Sequence, residues 1–302
     1  MLGLALGDAM GAPHEGGFVG RFAWWVLGIG HGDLLRWTDD TQMAVVLAES
    51  LAEHGRVDAD DLAKRWAWQM DGRRGYGPGT RKLLLRVLQG ETWQAASRSV
   101  FPEGSFGNGA AMRAAPIGLF FHHDPEALRR AAELASSITH AHPLGIEGGV
   151  LIARATALAL KAAVNGTRPV GGSIAFDPDA FLVELAHGCT QVEFCNRLAA
   201  ARQVQSPDDA AGRLGHGVLA HQSAVTAVLA FCRCSDDFMK LMEFVVAVGG
   251  DTDTIAAMAG GLFGALRGPK SLPSEFLDRL EDRSKIEASG RRLHHAWAAS
   301  QS

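Results

Sequence analysis

The sequence predicts an all-α fold built as one domain. Apolar residues recur at helical spacing, as Met43, Val46, Leu47 and Leu51 do, and again Ile255, Met258, Ala259, Leu262 and Leu266. Short β-branched alternating runs are nearly absent, so strands are expected to be few. Two clusters of similar design, Trp37-Thr38-Asp39-Asp40-Thr41 and Gly249-Gly250-Asp251-Thr252-Asp253-Thr254, each stand just ahead of one of those helices. A site made from both requires the two ends of the chain to meet, which favours one domain over residues 1–302.

The elements follow in order. Gly3 to Glu15 reads as a tightly packed helix running into a turn at Pro13, short because the chain begins abruptly at Met1. The helix after Asp40 comes next. Further helices are predicted over Ala59–Met70, Arg81–Gln89, Pro125–Ser137, Pro143–Val164, Ala180–His187, Gln191–Arg202, Val218–Cys232 and Asp236–Val248. Asp58 and Asp124 are suited to cap two of them. In the helix after Asp253, Gly260, Gly261 and Gly264 each cost about 1 kcal/mol against alanine. Close helix packing is the expected compensation. Gly/Pro-rich breaks fall at Gly72–Gly79, Gly104–Gly109, Asn165–Pro178 and Ser206–Gly217, none of them resembling a long flexible linker.

A chain of 302 residues with 47% hydrophobic residues can bury a sizeable core. A formal charge of −4 and a pI near 6.3 carry no footprint for nucleic acid or anionic membranes, and neither partner is expected. No signal peptide opens the chain. Val150–Val164 reads as a buried helix too short and interrupted to span a bilayer, so a cytoplasmic protein is expected. Cys189, Cys195, Cys232 and Cys234 match no zinc spacing and are expected to be reduced thiols. A monomer is expected, because no conspicuous apolar interaction helix is left over.

Carboxylates and hydroxyls are the hard oxygen ligands that Mg²⁺, Mn²⁺ or Ca²⁺ prefer. Asp39, Asp40, Asp251 and Asp253 brought together would repel strongly unless cations neutralised them. Helix capping explains one acid per helix, not two acids with flanking threonines at both sites. Asp8, inside the first helix, reads as structural. Glu15, just past the Pro13 turn, is placed to act as an acid/base or an extra ligand. The string Gly104-Ser105-Phe106-Gly107-Asn108-Gly109 through Arg113 joins a glycine-rich turn to a helix-like run, a pairing of backbone N–H groups and positive potential that suits a diphosphate. It lacks the lysine of a P-loop. Phe106 could stack on a base. Gly75-Tyr76-Gly77 lies in a second loop and holds the only tyrosine. His140 and His142, two apart, suit hydrogen bonding or a core role better than metal ligation. His294 and His295 read as solvent-exposed.

Taken in order, Gly7-Asp8-Ala9 with Pro13 and Glu15, Thr38-Asp39-Asp40-Thr41, Gly107-Asn108-Gly109-Ala110-Ala111-Met112-Arg113, Thr139-His140 with His142-Pro143, and Gly249 to Thr254 resemble the ADP-ribosylglycohydrolase family. The resemblance implies a compact, single-domain orthogonal helical bundle with a dinuclear metal cleft holding two divalent cations, Mg²⁺ or Mn²⁺. By motif match, Thr38, Asp39, Asp40, Asp251, Asp253 and Thr254 would be ligands. Ser105 to Gly109 would cradle the diphosphate, Phe106 would face adenine and His140 would touch the substrate. Glu15, Asp39 and Asp253 are the candidate proton carriers for cleaving a glycosidic bond to ribose. The loop Gly75, Tyr76, Gly77 lacks the aspartate of the nitrogenase-linked branch and is similar to the Gly-Tyr-Gly of the branch acting on serine-linked and polymeric ADP-ribose. The implied partner is an ADP-ribosylated protein or a small ADP-ribose conjugate. The alternative is a non-catalytic ADP-ribose-binding or structural relative on the same scaffold.

Overall fold

The computed structural model describes residues 1–15, 34–165 and 176–301, and no strand forms among them; two isolated bridges, Leu35 with Leu280 and Gly107 with Leu219, are the nearest approach to sheet. Helix α1 (Leu2–Gly11) runs into a 3-10 turn at Ala12–His14. Helix α2 (Asp39–His54) begins at the first acid cluster, and α3 (Ala59–Gln69) is capped by the Asp58 carboxylate, which accepts from the Asp61 amide at 3.1 Å. Helix α4 (Pro78–Leu88) starts at Pro78 rather than Arg81, since proline in a first turn forfeits no hydrogen bond. Helices α5 (Trp93–Val100), α6 (Gly109–Met112) and α7 (Ala115–Phe120) are short ones that apolar spacing did not predict.

Asp124 caps α8 (Pro125–Ser137), accepting from the Glu126 and Ala127 amides. Helix α9 (Pro143–Asn165) matches the predicted Pro143–Val164 to within one residue. At 23 residues it is long and apolar enough to cross a membrane by length and composition, and 67% of its most apolar window is buried inside the bundle. Then come α10 (Pro178–His187) and α11 (Val192–Ala201). The Ser206–Gly217 segment, expected as a break, holds α12 (Pro207–Leu214), because Ser206 caps it and Pro207 opens it. Helices α13 (Ala220–Arg233), α14 (Phe238–Val248), α15 (Thr252–Arg267), α16 (Ser274–Leu277) and α17 (Arg283–Ser300) complete the chain. Of the expected break Asn165–Pro178, residues 166–175 lie outside the described residues.

One hydrophobic cluster runs from Ala5 in α1 to Leu293 in α17, with Val150, Leu151 and Ile152 of α9, Val225, Val228 and Leu229 of α13, and Ile255, Leu262 and Phe263 of α15 buried at its centre. All four cysteines are free, and His294 and His295 are exposed on α17.

Glycine sets how the ends of the chain meet. A Cβ on Gly3 would lie 2.2 Å from the Gly260 carbonyl oxygen, one on Gly7 2.1 Å from that of Ala256, and one on Gly11 2.5 Å from that of Thr252. In the other direction, a Cβ on Gly260 would meet the Gly3 oxygen at 2.3 Å. So α1 and α15 touch backbone to backbone, and the packing expected to offset the helical glycines is theirs. Gly261 differs: a Cβ there would meet only Ala115 and Leu4 side chains, at 3.6 Å. Gly7→Ala is expected to destabilise by about 2 kcal/mol, as overpacked cores do. Gly261→Ala should gain up to about 1 kcal/mol of helix propensity. Urea midpoints at unchanged m-value measure both.

Candidate active site

Asp8 is the peg on which the first acid cluster hangs. Buried in α1, its carboxylate accepts from the Thr38 amide at 3.0 and 3.1 Å, the Thr41 amide at 3.1 Å and the Thr41 hydroxyl at 2.6 Å. Burial pushes its carboxyl up to about 6, and the four bonds oppose that rise. Asp8 therefore has the structural part expected of it. The Thr38 hydroxyl caps α2 by accepting from the Asp40 amide at 3.3 Å, while the Asp39 amide donates to the Arg74 carbonyl at 2.8 Å. Neither the Asp39 nor the Asp40 side chain is used as a cap.

The second cluster is shaped by its glycines. Gly249 and Gly250 have φ of 73° and 78°, and a Cβ on Gly250 would fall 2.1 Å from the His216 carbonyl oxygen. That carbonyl accepts the Asp251 amide at 2.9 Å, and His216 in turn places Nδ1 2.9 Å from the Val248 carbonyl. Asp251 occupies the N-cap position of α15 without capping it. Its carboxylate instead accepts a short bond from Asn108 Nδ2, which also donates to Ser223 at 3.0 Å. Asp253 accepts the Thr254 amide at 2.8 Å.

The two clusters meet in a cavity of about 260 Å³. Glu15, Asp39, Asp40, Asp251 and Asp253 all line it, and Arg113 is the one lysine or arginine to do so among the described residues. Ligand oxygens of Glu15, Asp251 and Asp253 come within 4.8 Å of one another, a group able to hold a metal ion. Asp40 Oδ2 is buried with no hydrogen-bond partner, the kind of acceptor a cation satisfies. Burial first, then neighbouring carboxylates, push Asp40 and Asp253 well above the usual carboxylate range and Asp39 up to about 8. Glu15 is raised by desolvation and by Asp251, with a hydrogen bond to Asp253 partly offsetting the rise.

The remaining candidate residues are placed unevenly. Ser105, Gly107, Asn108, Gly109 and His140 line the cavity, as do Gly75, Gly77 and Thr254; Thr38, Tyr76 and Phe106 do not. Tyr76 is buried, with its hydroxyl donating to Gln42 Oε1 at 2.8 Å, so it pins its loop to α2. Gly75, with φ 92°, is the part of that loop nearest Asp39; a Cβ would sit 3.4 Å from Oδ1. Phe106 is 44% exposed and meets His142 edge-on at 5.3 Å. The Ser105–Gly109 turn is held from behind, the Asn108 amide donating to the Val218 carbonyl and the Ala220 amide to that of Phe106. Sequence reading missed the His216–Val218 segment, which supports both this turn and Asp251. It also passed over Phe101 and gave no role to Thr80 or Met112, which share the wall. The Gly215-His216-Gly217 spacing was the only signal for the former, and it is weak.

A sequence model described as ADP-ribosylglycohydrolase matches residues 1–302. The chain is 30% identical to the ADP-ribosylhydrolase ARH3 of Xenopus tropicalis, over 98% of this chain and 94% of that protein. It is likewise 30% identical to the ADP-ribosyl-[dinitrogen reductase] glycohydrolase of Rhodospirillum rubrum, over 99% and 94%. A solved structure titled "ADP-ribosylglycohydrolase-related protein complex" superimposes with a TM-score of 0.74 at 28% identity, covering 98% of this chain and 95% of its own. The chain thus belongs to the ADP-ribosylglycohydrolase family and is a glycosidic-bond hydrolase.

Proposed function

We propose that this protein hydrolyses the glycosidic bond joining ADP-ribose to a protein side chain or small conjugate, using two divalent cations, Mg²⁺ or Mn²⁺. The observation that carries this reading is the gathering of five carboxylates in one cavity that Ser105, Gly107, Asn108 and Gly109 also line. The donor set fits: hard oxygens from Asp39, Asp40, Asp251, Asp253 and Thr254, with the buried, unpartnered Asp40 Oδ2 among them. Thr38, whose hydroxyl receives the Asp40 amide, would add a further oxygen. Bound cations would supply Lewis acidity and neutralise the carboxylates.

In the proposed reaction the bond from the anomeric carbon to the leaving oxygen or nitrogen breaks, and a water oxygen bonds to that carbon. One proton of the water passes to a carboxylate, and the leaving atom takes a proton up. Asp39 or Asp253 would accept the first, and Glu15, in the last turn before the cavity and beside Asp251 and Asp253, would serve at the leaving atom. The Asn108 amide is held by the Val218 carbonyl and the Gly107 amide by Ser105 Oγ, so the Ser105 hydroxyl and the remaining amides of the Ser105–Gly109 turn would face the diphosphate. The wall at Gly75, Gly77, Pro78, Gly79 and Thr80 offers no carboxylate to pair with a guanidinium, which favours a hydroxyl linkage such as serine over arginine.

Free ADP-ribose released from serine-linked, arginine-linked and O-acetyl ADP-ribose, with Mg²⁺ or with EDTA, tests the proposal. Release should be fastest from the serine linkage and abolished by EDTA; no metal-dependent release from any substrate would sink the reading. Asp253→Asn should cut turnover at least about a hundredfold, as loss of one electrostatic element of a site does. Full turnover with normal metal binding would remove Asp253 from the ligand set.

Stability should follow the same carboxylates. Raised pKa values mean the folded chain binds protons that the unfolded chain has released, so the contribution of these carboxylates is greatest at low pH and is lost as pH rises, while buried His140 contributes the opposite slope below its free value. In EDTA the melting temperature should fall relative to that of Asp39→Asn as pH rises from about 4, where unfolded aspartates ionise, to the Asp39 value of about 8. Mg²⁺ or Mn²⁺ should raise the melting temperature more at the upper end of that window than at the lower. Scanning calorimetry in both media reads these slopes, and an EDTA difference between parent and variant that stays constant across the window would contradict the assignment.

A further inference from the structure

Arg113 borders the acidic cavity, yet it donates to Met43, Ala135 and Thr139 rather than to the acids. It is 1% exposed and lies over the Trp66 ring at 4.0 Å. Nη1 donates to Met43 Sδ at 3.5 Å, and Nη2 donates to the Ala135 carbonyl at 3.3 Å and to Thr139 Oγ1 at 2.7 Å. The same Thr139 oxygen stands 2.7 Å from His140 Nδ1. This chain of contacts decides where the imidazole proton sits.

A guanidinium has donors only, so Thr139 Oγ1 must accept from Arg113. The hydroxyl then has one hydrogen to place, and Thr139 is fully buried. His140 Nδ1 is the acceptor the structure gives it. Were Nδ1 protonated instead, the hydroxyl would receive two donors and its own hydrogen would be stranded, which buried polar groups avoid. Nδ1 is therefore the acceptor, and the ring proton belongs on Nε2. That nitrogen points toward the turn: a Cβ on Gly109 would come within 2.9 Å of it, and one on Gly107 within 3.4 Å. Burial, and then the Arg113 charge, hold His140 down at about 3, so no second proton is added near neutrality.

We propose that Arg113 and Thr139 are positioning residues that lock His140 as the Nε2–H tautomer, making it a neutral hydrogen-bond donor to an oxygen of ADP-ribose bound at the Ser105–Gly109 end of the cavity. The ligand in this statement rests on the reading of the cavity given above; the tautomer does not.

Ring ¹⁵N spectra of the ligand-free protein, with His140 assigned by its loss in His140→Gln, give the first readout. A protonated Nε2 and a pyridine-type Nδ1 are expected, and a protonated Nδ1 would overturn the proposal. Thr139→Ser should keep that spectrum and bind ADP-ribose within about twofold of the parent, whereas Thr139→Val should shift the ring toward Nδ1–H and weaken binding about tenfold by calorimetry. An unchanged tautomer and affinity in Thr139→Val would also overturn it. Should the unsubstituted protein show the expected spectrum yet bind no ADP-ribose, the cavity reading and the donor role fall together while the tautomer assignment stands.

Discussion

Everything at the cavity depends on the direct backbone contact between α1 and α15. No side chain separates the two helices along Gly3, Gly7 and Gly11, so their spacing is set by peptide atoms rather than by rotamers. That contact fixes Asp8 relative to Asp253, and Asp8 fixes Thr38 and Thr41. Through this short chain of contacts, the two acid clusters acquire a defined separation although they are far apart in sequence. The packing carries the electrostatic cost: carboxylates whose pKa values are pushed up by burial and by one another are forced together because the helices bearing them cannot move apart.

Around that frame, each functional segment is tied to a neighbour by a main-chain bond. The Arg74 carbonyl holds the Asp39 amide, while its guanidinium stacks over Trp37 at 3.7 Å and pairs with Glu281. The His216 carbonyl holds Asp251, and the Val218 carbonyl holds Asn108. The cavity carboxylates are thereby freed from structural duty. Thr38 caps α2 so that Asp39 and Asp40 need not, and Asp251 leaves the α15 cap unmade and turns to Asn108.

Much of this was legible in the residues. The helical class follows from the 3.6-residue recurrence, and the acid clusters stand out because hard oxygen donors are rare in such density ahead of a helix. The glycines of α15 announced close packing through their propensity cost, although only the structure names α1 as the partner and separates Gly260, in contact with backbone, from Gly261, in contact with side chains. Other features were hidden for physical reasons. Tyr76 sits beside two wall-forming glycines, and sequence position does not say that its side chain turns inward to Gln42. Ser206–Gly217 looks like a loop by composition, yet a serine cap and a proline at the first turn start a helix. Helix α17, largely polar with Leu293 and Ile286 as its buried anchors, gives too thin an apolar stripe to be seen. Arg113 read as the tail of a glycine-rich string, because nothing local tells that a buried cation will answer to a threonine rather than to an acid.

The meeting of α1 and α15 also bears on how the molecule comes into being. The contact closes a loop of roughly 250 residues, an entropic cost borne before the native packing of either helix returns anything. During synthesis α1 must therefore wait, its glycine-lined face uncovered, until the segment that forms α15 has left the ribosome. Asp251 and Asp253 arrive with the segment that covers it, so the cavity and the closed bundle are completed by the same late step. A nascent chain of this protein carries half of a site and no means of using it.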